Sequence, residues 1–79
     1  MNMICKNGTK KTILLIVEPW AEEYLLEPGQ SVEVIGEGGV ADGVFEVEYF
    51  DGGLIVYGWE GSVLSIFKNG VEVSPSLQS

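Results

Sequence analysis

Short apolar runs rich in valine and isoleucine recur along the chain, and residue pairs that favour tight turns separate them. Sixteen residues are Val or Ile, which prefer the pleated, half-buried surface of a β-sheet. No stretch sustains the period of an amphipathic helix. The pattern predicts these strands: Met3–Lys6, Lys11–Glu18, Glu22–Leu26, Ser31–Ile35, Val44–Phe50, Gly53–Trp59, Ser62–Lys68 and Val71–Ser74.

The turn signals between these runs are regular. Pairs of Asn or Asp with Gly suit the positive φ of two-residue type I′ hairpin loops. Such pairs are Asn7-Gly8, Asp42-Gly43, Asp51-Gly52 and Asn69-Gly70. Pro28-Gly29 fits a type II turn, and Glu60-Gly61 predicts another tight turn. Gly36 to Gly39 predicts a flexible loop, and Pro75–Ser79 predicts a frayed tail.

Strands this short with turns this close indicate an all-β fold, either a compact antiparallel sandwich or a small barrel. The length of 79 residues fits a single domain over residues 1–79. One alternative concerns Ala21–Leu26. Pro19 could occupy the first turn of a short helix there, which Pro28 would end.

The register of one hairpin follows from its turn. If Asp51-Gly52 is a two-residue loop, Phe50 faces Gly53, and Phe45 comes to lie over Gly58, whose backbone it would shield. One side then carries Phe45, Val47, Tyr49, Leu54 and Val56. The other side carries Glu46, Glu48, Ile55, Tyr57 and Trp59, and continuing through Glu60-Gly61 adds Leu64 and Ile66. Because an apolar strand side is normally covered, we expect a second chain to cover this one.

Charge is strongly segregated along the chain. The 12 acids and 4 bases give a net charge of −8, and all four bases are lysines. Lys6, Lys10 and Lys11 precede a stretch from Thr12 to Phe67 that contains eleven acids and no base. Since nucleic-acid binding depends on basic residues that neutralise phosphates, we expect none here. Five consecutive apolar residues, Ile13 to Val17, are too few for a signal peptide or a membrane helix, so the expected location is cytoplasmic.

Most enzyme classes lack their residues in this sequence. There is no His and no Arg, so an imidazole base, a Ser-His or Cys-His pair and a guanidinium fork for phosphate are all missing. A single cysteine, Cys5, predicts a packed thiol rather than a disulfide or a zinc site. Asp42 and Asp51 are accounted for as turn residues, so no calcium loop is expected either. We therefore predict no catalytic site, no metal and no cofactor.

Three amphipathic aromatic residues, Trp20, Tyr57 and Trp59, are the strongest binding candidates. Tyr57 and Trp59 share a predicted strand side with Glu46 and Glu48. An aromatic and acidic patch of this kind suits a sugar, a cation or a basic protein surface. The competing interpretation is that both rings make core or dimer contacts.

The segment Ile16–Val34, with the sequence IVEPWAEEYLLEPGQSVEV, resembles small bacterial all-β proteins of uncharacterised function. Those proteins share a Glu-Pro-Trp-x-Glu-Glu-Tyr segment followed by an apolar residue, any residue and Pro-Gly. Its second part, Tyr24 to Val34, is also similar to the strand–Pro-Gly–strand turn of cupin-type jelly rolls. The resemblance implies a jelly-roll architecture. It implies no cupin metal chemistry, because cupins hold their metal through histidines and this chain has none.

A chain this short has little core with which to stabilise a monomer, and oligomerisation is a usual remedy. We therefore expect a non-enzymatic module that forms a homodimer or higher homo-oligomer, or binds a protein partner, through Ile55, Tyr57, Trp59, Leu64 and Ile66. The alternative is a protein that binds a small sugar or cation with Tyr57, Trp59, Glu46 and Glu48.

Overall fold

A computed structural model describes residues 1–75 of the chain, and these residues form strands and turns without any helix. The strands are β1 (Asn2–Lys6), β2 (Ile13–Glu18), β3 (Glu22–Leu26), β4 (Ser31–Gly38), β5 (Glu46–Phe50), β6 (Gly53–Tyr57), β7 (Ser62–Lys68) and β8 (Val71–Glu72). The all-β prediction and its eight short strands are confirmed. The predicted tail lies outside the described residues from residue 76 onward.

The strands form two four-stranded sheets. The first sheet has the order β1-β4-β7-β8 and the second has the order β3-β2-β6-β5. No barrel is closed among residues 1–75. The prediction of antiparallel pairing throughout is wrong, because β2 and β6 lie parallel, with Ile16 opposite Ile55. Jelly rolls are antiparallel architectures, so the jelly-roll character is not confirmed.

The core lies between the two sheets and follows the alternation of side chains along each strand. Its members include Leu15, Val17, Leu26, Val34 and Val56, all with no exposed surface. The helix suggested for Ala21–Leu26 is wrong: β3 pairs with β2, and strand alternation sends Tyr24 and Leu26 into this core.

Leu64 and Ile66 also belong to the core, where only 7% and 1% of their surfaces are exposed. The prediction that they continue the outer side of β6 is therefore wrong. The Glu60-Gly61 turn is present, with the Ser62 amide donating to the Trp59 carbonyl at 2.9 Å. However, it sends the chain to the other sheet, where Ile66 lies opposite Val34. A tight turn fixes the local backbone but not the sheet that the next strand joins.

Two of the predicted hairpins form, one in each sheet. The Asp51-Gly52 hairpin has the predicted register over its whole paired length, from Glu46 opposite Tyr57 to Phe50 opposite Gly53. Asn69 and Gly70 both have positive φ, as a type I′ turn requires, and they join β7 to β8.

Pro28-Gly29 also forms the predicted type II turn, since Gly29 has a φ of 79° and the Gln30 amide donates to the Glu27 carbonyl.

The other two Asn/Asp-Gly pairs do not form hairpins. Asn7-Gly8 and Asp42-Gly43 lie in connections that cross between the sheets, and neither pair has a residue with positive φ. The flexible loop predicted for Gly36 to Gly39 is also wrong in part. Strand β4 continues to Gly38, opposite Ser62 of β7, so most of this glycine-rich stretch is hydrogen-bonded sheet.

Candidate functional site

The outer surface of the second sheet is unusually apolar. Because Leu15, Val17, Leu54 and Val56 point into the core, their neighbours on each strand point outward. We call this surface the outer β2-β6 face. It comprises Leu14, Ile16, Glu18, Glu23, Leu25, Glu46, Glu48, Phe50, Ile55 and Tyr57.

The outer β2-β6 face has an aliphatic centre and carboxylates at its margins. Ile16 and Ile55 are direct neighbours across the parallel pair. Glu23 lies opposite Ile16 on β3, and Glu48 lies opposite Ile55 on β5, so this row ends in a carboxylate at each edge. None of these outward residues is a lysine, and Lys68 reaches only the β3 edge, where its Nζ donates to the Leu25 carbonyl at 3.4 Å. The face therefore combines an apolar centre with a mainly negative margin.

Tyr57 and Glu48 make the best-defined polar contact on this face. The Tyr57 hydroxyl donates a hydrogen bond to Oε1 of Glu48 at 2.8 Å. This bond to the carboxylate raises the pKa of Tyr57 above its ordinary value, and burial and neighbouring carboxylates add to the effect. Glu46, Val47, Glu48 and Tyr57 line a shallow cavity of about 350 Å³. The structure thus brings together Tyr57, Glu46 and Glu48 of the predicted aromatic and acidic patch.

Trp59 is not part of that patch, because its indole covers glycines of β4 and of the β4–β5 connection. A Cβ on Gly36 would stand 2.6 Å from Cη2 of Trp59, so the ring lies directly on the backbone of β4. The indole Nε1 donates to the Gly38 carbonyl at 2.8 Å, and the Phe45 ring meets the indole edge-on with centroids 5.2 Å apart. The expectation that Phe45 covers Gly58 is wrong, because β6 ends at Tyr57 and the pairing does not reach Gly58.

The other predicted site residues divide between the outer β2-β6 face, the turn at its end and the core. Ile55 is half-buried on the outer β2-β6 face, whereas Leu64 and Ile66 are core residues. Trp20 lies in the turn between β2 and β3, with 43% of its surface exposed. It follows Glu18, the residue opposite Tyr57, by two positions, and so lies at one end of the face.

A second feature, absent from the sequence-based prediction, is a groove between β1 and β5, an edge strand of each sheet. The groove has a volume of about 400 Å³, and its walls include Met3, Cys5, Ile13, Val47 and Leu54. Tyr49 lines its mouth and is 79% exposed, although the hairpin register places it on the inner side of β5. Burial raises the pKa of the Cys5 thiol above its ordinary value. The only sequence signal for this groove was the alternation that sends Met3 and Cys5 to the inner side of β1. Alternation within one strand does not show that the edges of the two sheets are separated by a groove.

Neither surface gathers a set of metal ligands. Within residues 1–75, no group of three or more His, Cys, Asp or Glu side chains is placed to hold a metal ion. In the same part of the chain, no helix has the length and apolar character needed to cross a membrane. Comparisons with protein-family models, with curated proteins and with solved structures find no match to this chain.

Proposed function

We propose that this chain is a non-enzymatic association module that forms a dimer through the outer β2-β6 face. The observation that carries the proposal is the continuous aliphatic centre formed by Ile16 and Ile55, with Leu14 in the next row. Leu25 and Phe50 extend it, and 38% and 39% of their surfaces are exposed. Contiguous exposed apolar surface on a small protein is typical of an association site. In a two-fold dimer the same patch serves both subunits.

The charges at the margin oppose this association and predict how it depends on salt. Glu18, Glu23, Glu46 and Glu48 repeat on both copies, and no lysine on the face neutralises them. Salt screens repulsion between exposed carboxylates, with a Debye length of roughly 10 Å at 0.1 M. It does not weaken the burial of aliphatic side chains. The dimer should therefore tighten as salt is added.

The same four carboxylates favour a second candidate function. Among residues 1–75, none of the four margin glutamates makes an ion pair with a lysine. A protein partner that carries aliphatic side chains flanked by Lys or Arg would complement this face in both shape and charge. Such a complex would weaken with added salt, which is the opposite of the behaviour expected for the dimer.

Sedimentation equilibrium at micromolar concentration, in low and high salt, tests the dimer. The Ile55→Glu variant places a charge at the aliphatic centre, and Val63→Glu places the same charge on the outer side of β7, where Val63 is 61% exposed. We expect a dimer for wild type and Val63→Glu, and an 8.6 kDa monomer for Ile55→Glu. Circular dichroism would establish that both variants fold. A single 8.6 kDa species for wild type at both salt concentrations would rule out the dimer.

Three expectations from the sequence remain part of this proposal: the sugar or cation alternative, the resemblance to small bacterial proteins and the cytoplasmic location. The sugar or cation alternative now depends on Tyr57, Glu46 and Glu48 alone, since Trp59 lies elsewhere. Titration of a Glu48→Gln variant with candidate sugars and cations would test it. The resemblance of Ile16–Val34 to small bacterial all-β proteins covers the second half of β2, all of β3 and the first half of β4. The cytoplasmic location rests on the sequence features given above.

A further inference from the structure

The groove between β1 and β5 has the size and lining of a small-molecule site. Ligand pockets in proteins usually measure about 300–1,000 Å³ and are lined mainly by apolar side chains. This groove measures about 400 Å³, and Met3, Ile13, Val47 and Leu54 line it. Only 8% of Leu54 and 8% of Cys5 are exposed, so the deeper part of the groove is well shielded from water. The outer β2-β6 face, to which the proposed function belongs, lies on the other side of the second sheet and shares only Phe50 with the groove.

The charge at this groove is opposite in sign to that of the rest of the molecule. Lys6 is the one charged residue that lines it, and no acidic residue of the described chain does so. Lys10 and Lys11 follow in the connection after β1, directly beyond Thr9, which also lines the groove. The Lys6 side chain makes no hydrogen bond or ion pair within residues 1–75. Lys6 therefore supplies positive charge at the groove of an otherwise acidic molecule, and within the described residues no partner holds its ammonium group.

We infer that the groove binds a monomeric amphipathic anion, with an alkyl chain between the sheets and a carboxylate at Lys6. The alkyl chain would contact the aliphatic and thioether side chains of Ile13, Val47, Leu54 and Met3. The carboxylate would accept a charge-assisted hydrogen bond from the Lys6 ammonium group, which is stronger than a neutral one. The apolar lining and the Lys6 ammonium group together specify a carboxylate that carries a short alkyl chain. This inference is independent of the association proposed for the outer β2-β6 face.

Cys5 offers a direct reporter, because it is the only cysteine of the chain and it lines the groove. The probe is decanoate, used below the concentration at which it forms micelles. We expect saturating decanoate to slow the reaction of Cys5 with a disulfide reagent at least fivefold. We also expect amide shifts in a ¹H–¹⁵N spectrum to be largest at Met3, Cys5, Val47 and Leu54. The spectrum gives a second measurement where the thiol reacts slowly.

Matched variants separate the head-group contact from non-specific binding. Lys6→Gln should raise the dissociation constant for decanoate about tenfold, whereas Lys68→Gln removes the same charge from β7 and should leave it unchanged. Val47→Trp, which fills the groove, should abolish binding while the fold is retained in the amide spectrum. Decanol, which has the same chain without the charge, should bind about tenfold more weakly than decanoate.

Three outcomes would overturn the inference. The first is equal affinity for decanoate in Lys6→Gln and Lys68→Gln, and the second is equal affinity for decanol and decanoate. The third is protection of Cys5 by vesicles of anionic phospholipid but not by decanoate, which would identify a membrane-surface contact instead. Loss of the dimer in the Ile55→Glu variant does not bear on any of these, because Ile55 does not line the groove.

Discussion

The indole of Trp59 lies directly on Gly43, with no space for a side chain between them: a Cβ on Gly43 would overlap the five-membered ring. The same ring covers Gly36 of β4 and donates a hydrogen bond to the Gly38 carbonyl. Trp59 therefore holds the connection between β4 and β5 against the end of β4. From the sequence, Trp59 was open to two interpretations, as a binding residue or as a core or dimer contact, and its contacts with these glycines favour packing.

Replacement of Gly43 by alanine should therefore destabilise the fold through Trp59. Overpacking of a filled site typically costs about 1–3 kcal/mol, and we expect the Gly43→Ala variant to lose stability in this range. In a Trp59→Leu background the same replacement should cost much less, because the overlapping ring is gone. Urea unfolding of the four proteins of this double-mutant cycle gives the coupling energy.

Gly8→Ala is the control for this cycle. Gly8 has no atom within 4 Å of its Cβ position, and its φ is not positive. We expect its replacement to change the free energy of unfolding by no more than about 0.5 kcal/mol. If Gly43→Ala lowered the free energy of unfolding equally with and without Trp59, the glycine would be required by the backbone conformation rather than by contact with the indole.

Asn7 should be essential to the fold, although it is polar. It is fully buried, and its Nδ2 donates to the carbonyls of Lys11 and Leu26 at 2.7 and 2.9 Å. Its Oδ1 accepts from the amide and hydroxyl of Thr9. Asn7→Ala removes all four bonds and deprives the buried Leu26 carbonyl of its Nδ2 donor, at about 1–3 kcal/mol for a buried unsatisfied group. We expect a large fall in the urea midpoint.

Asn2→Ala is the matched control, because Asn2 is exposed and makes one side-chain bond, to Glu33. The free energy of unfolding of this variant should lie within about 0.5 kcal/mol of the wild-type value. If Asn7→Ala were as stable as Asn2→Ala, the buried hydrogen bonds of Asn7 would contribute nothing to the fold.

Ala21 occupies a backbone conformation that favours glycine. Its φ is 54°, and its amide donates to Oε1 of Glu18 at 2.8 Å in the turn between β2 and β3. A side chain in the left-handed region is strained, at about 1 kcal/mol or more. We therefore expect Ala21→Gly to raise the thermal midpoint, even though glycine makes the unfolded chain more flexible.

The control is Ala41→Gly, because Ala41 is also an exposed turn residue but its φ is not positive. Without strain to relieve, this replacement should lower stability by about 0.4–1 kcal/mol, the usual entropic effect of glycine. A fall in the midpoint for both variants would contradict the strain assigned to Ala21.

Stability should decline at high pH because of Tyr24. Burial is the main cause that raises the pKa of Tyr24 from 10.0 to about 12, and the carboxylates of Glu22 and then Glu72 add to this increase. Between these values the folded protein keeps a proton that the unfolded chain loses, so unfolding becomes easier as pH rises. The contribution is complete below pH 10 and is lost as pH rises towards about 12.

Urea unfolding at pH 9, 10 and 11 measures this decline, and Tyr24→Phe should make it shallower. Tyr49→Phe is the comparison, since Tyr49 is 79% exposed, and it should leave the decline unchanged. Ultraviolet titration of the tyrosines gives a direct check. Ionisation of every tyrosine near pH 10 in the folded protein would show that Tyr24 is not shielded.

Much of the local structure could be predicted from the sequence. Runs of Val and Ile between turn pairs specified the strands, and Asp51-Gly52 specified the register of β5 against β6. That register also placed Glu48 beside Ile55 on one surface. Part of the candidate face was therefore predictable, because it depends only on a turn and on alternation. Its other part, with Leu14 and Ile16, was not, because it depends on the parallel pairing of β2 with β6.

What the sequence determined by itself is local: the strand segments, the two hairpins and the sign and segregation of charge. Turn chemistry and side-chain alternation act over a few residues, so they can be read along the chain. Only the tertiary structure decided which sheet each strand joins. It thereby placed Ile66 opposite Val34 in the core and laid Trp59 on Gly36 and Gly43. These contacts depend on burial between segments far apart in sequence, and no residue pattern within one segment specifies its distant partner.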